Sequence, residues 1–264
     1  MNTNTTVRLG LGVLAALCLQ ISGNLYGASY LYQDDFSLSS GALNARTTAS
    51  GFGAWTADSA FQVGSDKITI NSNTPVDYHK ASFSLPSLGA SDTLSLSITL
   101  RPSGSLFTAF GFTSGSDQYV SNSGFNWIYF ATGNPTIQFL TGQGPTGLSY
   151  SAALTNPALD FNASLPTTFE YTYSASAKTL SLLATNGGKS STLLNNLDVS
   201  TTPLSGYSNF ALMFQGQNLG SDVSSPAYVE SMSISIIPEP STFSMLLCGL
   251  GTMTAIYRRQ IPRL

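Results

Sequence analysis

Three glutamates, one histidine and two cysteines are all that this chain offers among the side chains that most often do chemistry. The glutamates stand at Glu170, Glu230 and Glu239. General acid–base work on a glycosidic bond needs two carboxyl groups on one face, one held protonated and one ionised. No Glu-x-Asp-x-x-Glu run surrounds any of the three. Asp34 and Asp35 are adjacent, but consecutive strand residues point to opposite faces, so they do not form a dyad. His79 is the sole histidine; a Ser-His-Asp relay would rest on it and on Asp77, two residues earlier on the same strand face. No Gly-x-Ser-x-Gly elbow accompanies it, so His79 reads as an ordinary surface residue. Cys18 and Cys248 fall in the two terminal apolar runs, which leaves the middle of the chain without a thiol for zinc or a disulfide. No catalytic residue and no resident cofactor are expected.

Binding fits the residue types better than catalysis. Aromatic rings stack on sugar faces, and Trp55, Trp127, Tyr129, Tyr171 and Tyr173 are available for it. The i, i+2 spacing of Trp127 with Tyr129, and of Phe169, Tyr171 and Tyr173, suits core-facing strand residues equally well, and core is the default reading.

These residues have to be positioned by strands. In "DTLSLSITLR" from Asp92, Leu94, Leu96, Ile98 and Leu100 share one face while Ser95, Ser97 and Thr99 share the other, a period of two held across a whole strand. Similar runs start at Lys67, His79, Leu106, Asn126, Thr136, Thr168, Thr179, Ser208 and Tyr228. Turn signals such as Asn186-Gly187-Gly188 and Thr132-Gly133-Asn134-Pro135 separate several of them. "TFEYTYSASAKTLSLLATNGG" reads as a long hairpin turning at Ser174 to Lys178. No segment of the middle region has a helical period. The expectation is all-β: an antiparallel sandwich or barrel over residues 28–236.

Charge narrows the partners. Between residues 28 and 237 there are six bases and twelve acids with no basic patch, so nucleic acid is not an expected partner.

The two ends read as addresses. Arg8, an apolar run from Leu9 to about Ile21, and the small residues Gly27, Ala28 and Ser29 have the layout of a secretory signal peptide over residues 1–27. Leu17 before Cys18 disfavours a lipoprotein signal. At the other end, "FSMLLCGLGTMTAIY" carries no charge, and as a helix it would span about 22 Å against a hydrocarbon core of about 30 Å, a short membrane span over about 241–257. Arg258, Arg259 and Arg263 form a basic end that should stay cytoplasmic. Pro238 and Pro240 withhold two helix donors, so Pro238-Glu239-Pro240 should be extended, a form that a processing enzyme can grip.

Pro238-Glu239-Pro240, the apolar run with Gly249 and Gly251, and Arg258-Arg259 together resemble the PEP-CTERM sorting signal over residues 237–264. That resemblance implies recognition of the tripeptide by an exosortase, a membrane-embedded transpeptidase. It also implies export through the cytoplasmic membrane of a Gram-negative bacterium, a transient anchor, and a final place at the cell surface or in an exopolysaccharide matrix. A plain C-terminal membrane anchor is the alternative.

"YLYQDDFS", "GFGAWTADSAFQV" and the long hairpin resemble the concanavalin A-like jelly rolls of lectins, laminin G-type modules and some glucanases. The resemblance implies a two-sheet sandwich that binds glycan. It also implies a calcium option where the first and last strands meet, with Asp34, Asp35 and Glu230 as the acids available there. Alternatives are a sandwich of another topology and a secreted glycan-active hydrolase. The expected function is a non-enzymatic surface or matrix protein, sorted at its C-terminus, with extracellular polysaccharide and an exosortase as partners.

Overall fold

The strand from Asp92 forms over its full predicted length, with Leu94, Leu96, Ile98 and Leu100 all buried and the serines and threonines between them half-buried. The computed structural model describes residues 29–37, 40–47, 53–70, 79–101, 107–113, 126–131, 134–140, 149–153, 165–201, 208–214 and 228–238; the side chains of 107, of 126–153 and of 238 are outside that description. The expected leader 1–27, Glu239 and Pro240, the expected membrane helix 241–257 and the basic end 258–263 lie outside the described residues.

All regular structure described is strand. In chain order the elements are β1 (Ser29–Asp34), β2 (Gly41–Ala42), β3 (Thr56–Ala57), β4 (Phe61–Val63), β5 (Ile68–Ile70), β6 (His79–Ser84), β7 (Asp92–Arg101) and β8 (Phe107–Thr113). They continue as β9 (Asn126–Ala131), β10 (Asn134–Leu140), β11 (Ser149–Ala153), β12 (Thr167–Ser174), β13 (Thr179–Asn186), β14 (Lys189–Asp198), β15 (Asn209–Phe214) and β16 (Tyr228–Pro238). Residues Ser29–Ile236 form one compact unit.

Two antiparallel sheets divide these strands. The nine-stranded sheet runs β14-β13-β12-β7-β16-β5-β4-β2, with β1 added beside β16; the seven-stranded sheet runs β11-β10-β9-β8-β15-β6-β3. Phe110 against Phe169, Phe112 against Tyr171 and Phe61 against Phe214, with ring centroids 5.4, 5.2 and 5.9 Å apart, bring the two inner faces together.

Turn chemistry fixes the hairpins. Gly187 and Gly188, at φ 58° and 78°, close β13 onto β14 in the left-handed geometry that a two-residue hairpin requires, with Asn186 opposite Lys189. Asn186 then turns its amide inward to the carbonyls of Leu165 and Pro166 and to the Thr167 hydroxyl. The turn at 175–178 joins β12 to β13 with Ser174 opposite Thr179.

At the start of the unit, Trp55 sits under the sheets and is 1% exposed. Its Nε1 donates to the Tyr32 hydroxyl at 3.3 Å, and that hydroxyl donates to Asp34 Oδ2 at 3.2 Å. Arg46 closes the chain through Nη2 at 2.9 Å and Nε at 3.0 Å from the same oxygen, with its guanidinium over the Phe36 ring. Burial, reinforced by the Asp34 charge, pushes the Tyr32 phenol well above its ordinary pKa and keeps it a neutral donor.

Candidate functional site

On β15 the inner residues are Phe210, Leu212 and Phe214, which leaves Asn209, Ala211 and Met213 facing away from the core. The pairings extend this outward face into two rows across the seven-stranded sheet. One row runs Ser82, Ala211, Gly111, Trp127, Leu140, and the other Lys80, Met213, Ala109, Tyr129, Gln138. The middle of the face is buried, with Ala109, Ala211 and Met213 at 0, 0 and 1% exposure, so a ligand does not reach it there. At the β3–β6 edge lies a depression of about 410 Å³ lined by Thr56, Asp58, Lys80, Ser82, Ser84 and Asn209. Ser84 Oγ donates to Asn209 Oδ1 at 3.2 Å, and Asp58 Oδ2 accepts the Lys80 N–H at 2.9 Å. The arrangement is a polar depression at one edge of the sheet, with aromatic positions 127 and 129 three strands from β6 in the rows of Gly111 and Ala109.

The five aromatic candidates therefore separate. By backbone register, positions 127 and 129 fall in the rows of Gly111 and Ala109. Trp55, Tyr171 and Tyr173 are each 1% exposed and belong to the core, so a sugar cannot stack on them. The i, i+2 repeat of Phe169, Tyr171 and Tyr173 is the inner face of β12, packed against the other sheet. The rim residues Ser82, Ser84 and Asn209 had no distinctive signal in sequence beyond their alternation with apolar neighbours.

The acidic trio expected for calcium is not assembled. β1 and β16 do pair, with Asp34 opposite Met232. Asp34, however, takes Arg46, the Tyr32 hydroxyl and, through Oδ1, the Phe36 N–H at 2.7 Å, so a cation would have to displace a guanidinium. Asp35 faces solvent and closes a local turn onto the Ser37 hydroxyl and N–H, which hold its carboxyl below the ordinary range. Glu230 lies near Tyr228, whose phenol is pushed above its ordinary range by burial first and by the Glu230 charge second. Among the described residues no group of three or more His, Cys, Asp or Glu could hold a metal ion.

Among the described residues, Asp35 does not pair with Glu170. Glu170 is exposed on the outer face of β12, between Ser97 of β7 and Leu183 of β13, with Thr168 and Thr172 along its own strand. Asp35, the acid following β1, is separated from β12 by β16 and β7. Three strand spacings amount to about 14 Å, whereas glycosidase carboxyl groups sit about 5–9.5 Å apart.

His79 departs from the surface position expected of it. It lies opposite Phe214 on the inner face, in one cross-strand row with Thr108, and is 4% exposed because β6 here turns its odd positions to the core. Its Nε2 has no hydrogen-bond partner among the described residues, and Asp58 Oδ2 is 3.9 Å from Nδ1. Asp77 lies outside the described residues. Burial lowers the His79 pKa below 6.5, and the Asp58 charge only partly opposes this. The unfolded chain therefore binds the proton more readily, and stability falls as pH drops from 6.5 through the folded value. His79→Gln should flatten that acid limb, read as the denaturation midpoint between pH 7 and pH 5; an unchanged slope would remove His79 as its source.

No family model matches the chain, and no curated protein matches it. Solved structures do. An endo-1,3-β-glucanase from Streptomyces sioyaensis aligns over 80% of this chain and 97% of its own, at 13% identity and a TM-score of 0.50. The seed lectin of Lotus tetragonolobus aligns over 76% and 100%, at 11% identity and a TM-score of 0.48. Lectin II from Ulex europaeus aligns over 69% and 92%, at 10% and 0.47. Together with the sheet order, the likeness to the glucanase defines the class: an all-β antiparallel sandwich of the concanavalin A-like jelly-roll type.

Proposed function

We propose that this is a non-enzymatic exported protein of the cell surface or matrix. An exosortase processes it at Pro238-Glu239-Pro240, and its sandwich holds glycan at the β3–β6 edge of the seven-stranded sheet's outward face. The observation that carries the binding reading is the polar depression at the β3–β6 edge, on a face whose register sets Trp127 and Tyr129 across from Gly111 and Ala109, three strands from β6. Hydroxyl and amide groups at the rim suit sugar hydroxyls, and an oligosaccharide seated there can extend along the face toward the aromatic positions. The non-enzymatic reading is supported by what the acids do. Asp34 holds an arginine, Asp35 and Asp198 close turns onto Ser37 and Ser200, Asp92 takes the Gly89 N–H, and Glu170 has hydroxyl neighbours. A glycan array followed by titration of the best neutral ligand tests this reading. Trp127→Ala with Tyr129→Ala should weaken binding by at least tenfold, on the order of 1–3 kcal/mol per stacked ring, with the melting temperature retained. Release of reducing ends that is lost in Glu170→Gln would instead establish a hydrolase.

A further inference from the structure

We propose a second site, on the outer face of the nine-stranded sheet, where Lys67 and Arg101 over Tyr228 take the carboxylate of an acidic polysaccharide, a polyuronate in chemical class. The inference rests on the reading that the domain holds glycan, and adds which kind of sugar this face takes.

The site is set by register. Tyr228 opens β16 opposite Thr69 of β5, and Thr69 lies opposite Gln62 of β4. Val229, Ile68 and Val63 are buried on the inner face, so Tyr228, Thr69 and Gln62 form one outward row. Two cations close over the ring of Tyr228: Lys67 Nζ at 4.3 Å and Arg101 Cζ at 5.9 Å from its centroid. Lys67 is delivered by a tight turn in which Ser65 and Asp66 take φ of 52° and 62° and the Gly64 N–H donates to the Lys67 carbonyl at 3.0 Å.

Between them lies a depression of about 500 Å³, lined by Gln62, Ser65, Lys67, Thr69, Arg101 and Tyr228. Its described lining holds two cations and no carboxylate, although the exported region carries six bases against twelve acids. Convergence of two of those six cations on one ring runs against the charge of the surface around it. Arginine grips a carboxylate through two parallel N–H groups, and lysine adds a point charge. The ring contacts hold both side chains in place beforehand, which lowers the ordering cost of binding. Ser65, Thr69 and Gln62 offer donors and acceptors to the hydroxyls of the same sugar. A nucleic acid would need a longer basic track than two residues supply.

The test is calorimetric titration of the full-length chain in detergent with an oligogalacturonate and with a neutral oligogalactose of equal length, each at low and high salt. The acidic oligomer should bind more tightly, lose affinity with salt, and weaken roughly tenfold in Lys67→Gln while Lys67→Arg retains it. The hairpin position of Lys67 should leave the melting temperature unchanged in both variants. Equal affinity for the two oligomers, or an acidic affinity untouched by Lys67→Gln, would overturn the proposal. Binding of the neutral oligomer alone would remove this site and leave the first glycan reading standing; binding of neither would remove both.

Discussion

Trp55→Ala is expected to cost about 3–5 kcal/mol of unfolding free energy, the range for removing a large buried aromatic side chain. Trp55 is 1% exposed and joins both sheets, with ring centroids 4.7 Å from Phe83, 6.3 Å from Phe210 and 5.7 Å from Tyr32. Its truncation would leave a cavity beneath a stiff aromatic cluster and also strip the Tyr32 hydroxyl of a donor. Tyr32→Phe separates the two effects. It keeps the stacking on Phe83 at 5.1 Å but leaves the indole N–H without its acceptor, at about 1 kcal/mol. Urea denaturation followed by tryptophan-independent circular dichroism reads both. A loss below about 1 kcal/mol for Trp55→Ala would place the residue outside the structural core and revive it as a surface aromatic.

Much of the fold could be read from period and turn residues alone. β7, β12 and β13 keep strict alternation, and each forms where its pattern predicts. The strand β14 was not legible, and its physical reason is visible in the ladder. Pairing slips between Leu180 and Leu182 and again between Leu182 and Leu183, so adjacent Leu193 and Leu194 are both buried, and Asn196 is forced to φ 49°. A bulge erases the period of two that marks a strand in sequence. The site was less legible than the fold, because an aromatic at i, i+2 has the same spacing whether its face meets core or solvent. Only the pairing of β9 with β8 distinguishes positions 127 and 129 from 171 and 173. His79 failed for a related reason: a histidine at the head of a polar-apolar strand gives no sign of which parity faces inward until Phe214 is set opposite it.

Substituting Glu239 by Ala is expected to abolish C-terminal processing altogether, because the proposed exosortase grips the extended Pro-Glu-Pro and not the helix after it. The described core is compatible with loss of everything beyond the motif. Its members run from Leu31 to Ile236, the β1–β16 ladder ends at the Ser29–Ile236 pair, and Pro238, with no N–H to donate, is the last residue of β16. Processed and unprocessed forms should therefore share one denaturation midpoint within experimental scatter. A plain membrane anchor predicts instead that Glu239→Ala changes nothing.

The measurement that tests the account most directly is the intact mass of the mature chain from a host that contains an exosortase and from the same host lacking it. The account predicts a new C-terminus between Pro238 and Ser241 only where the enzyme is present, and none for Glu239→Ala. An intact C-terminus in both hosts would contradict it.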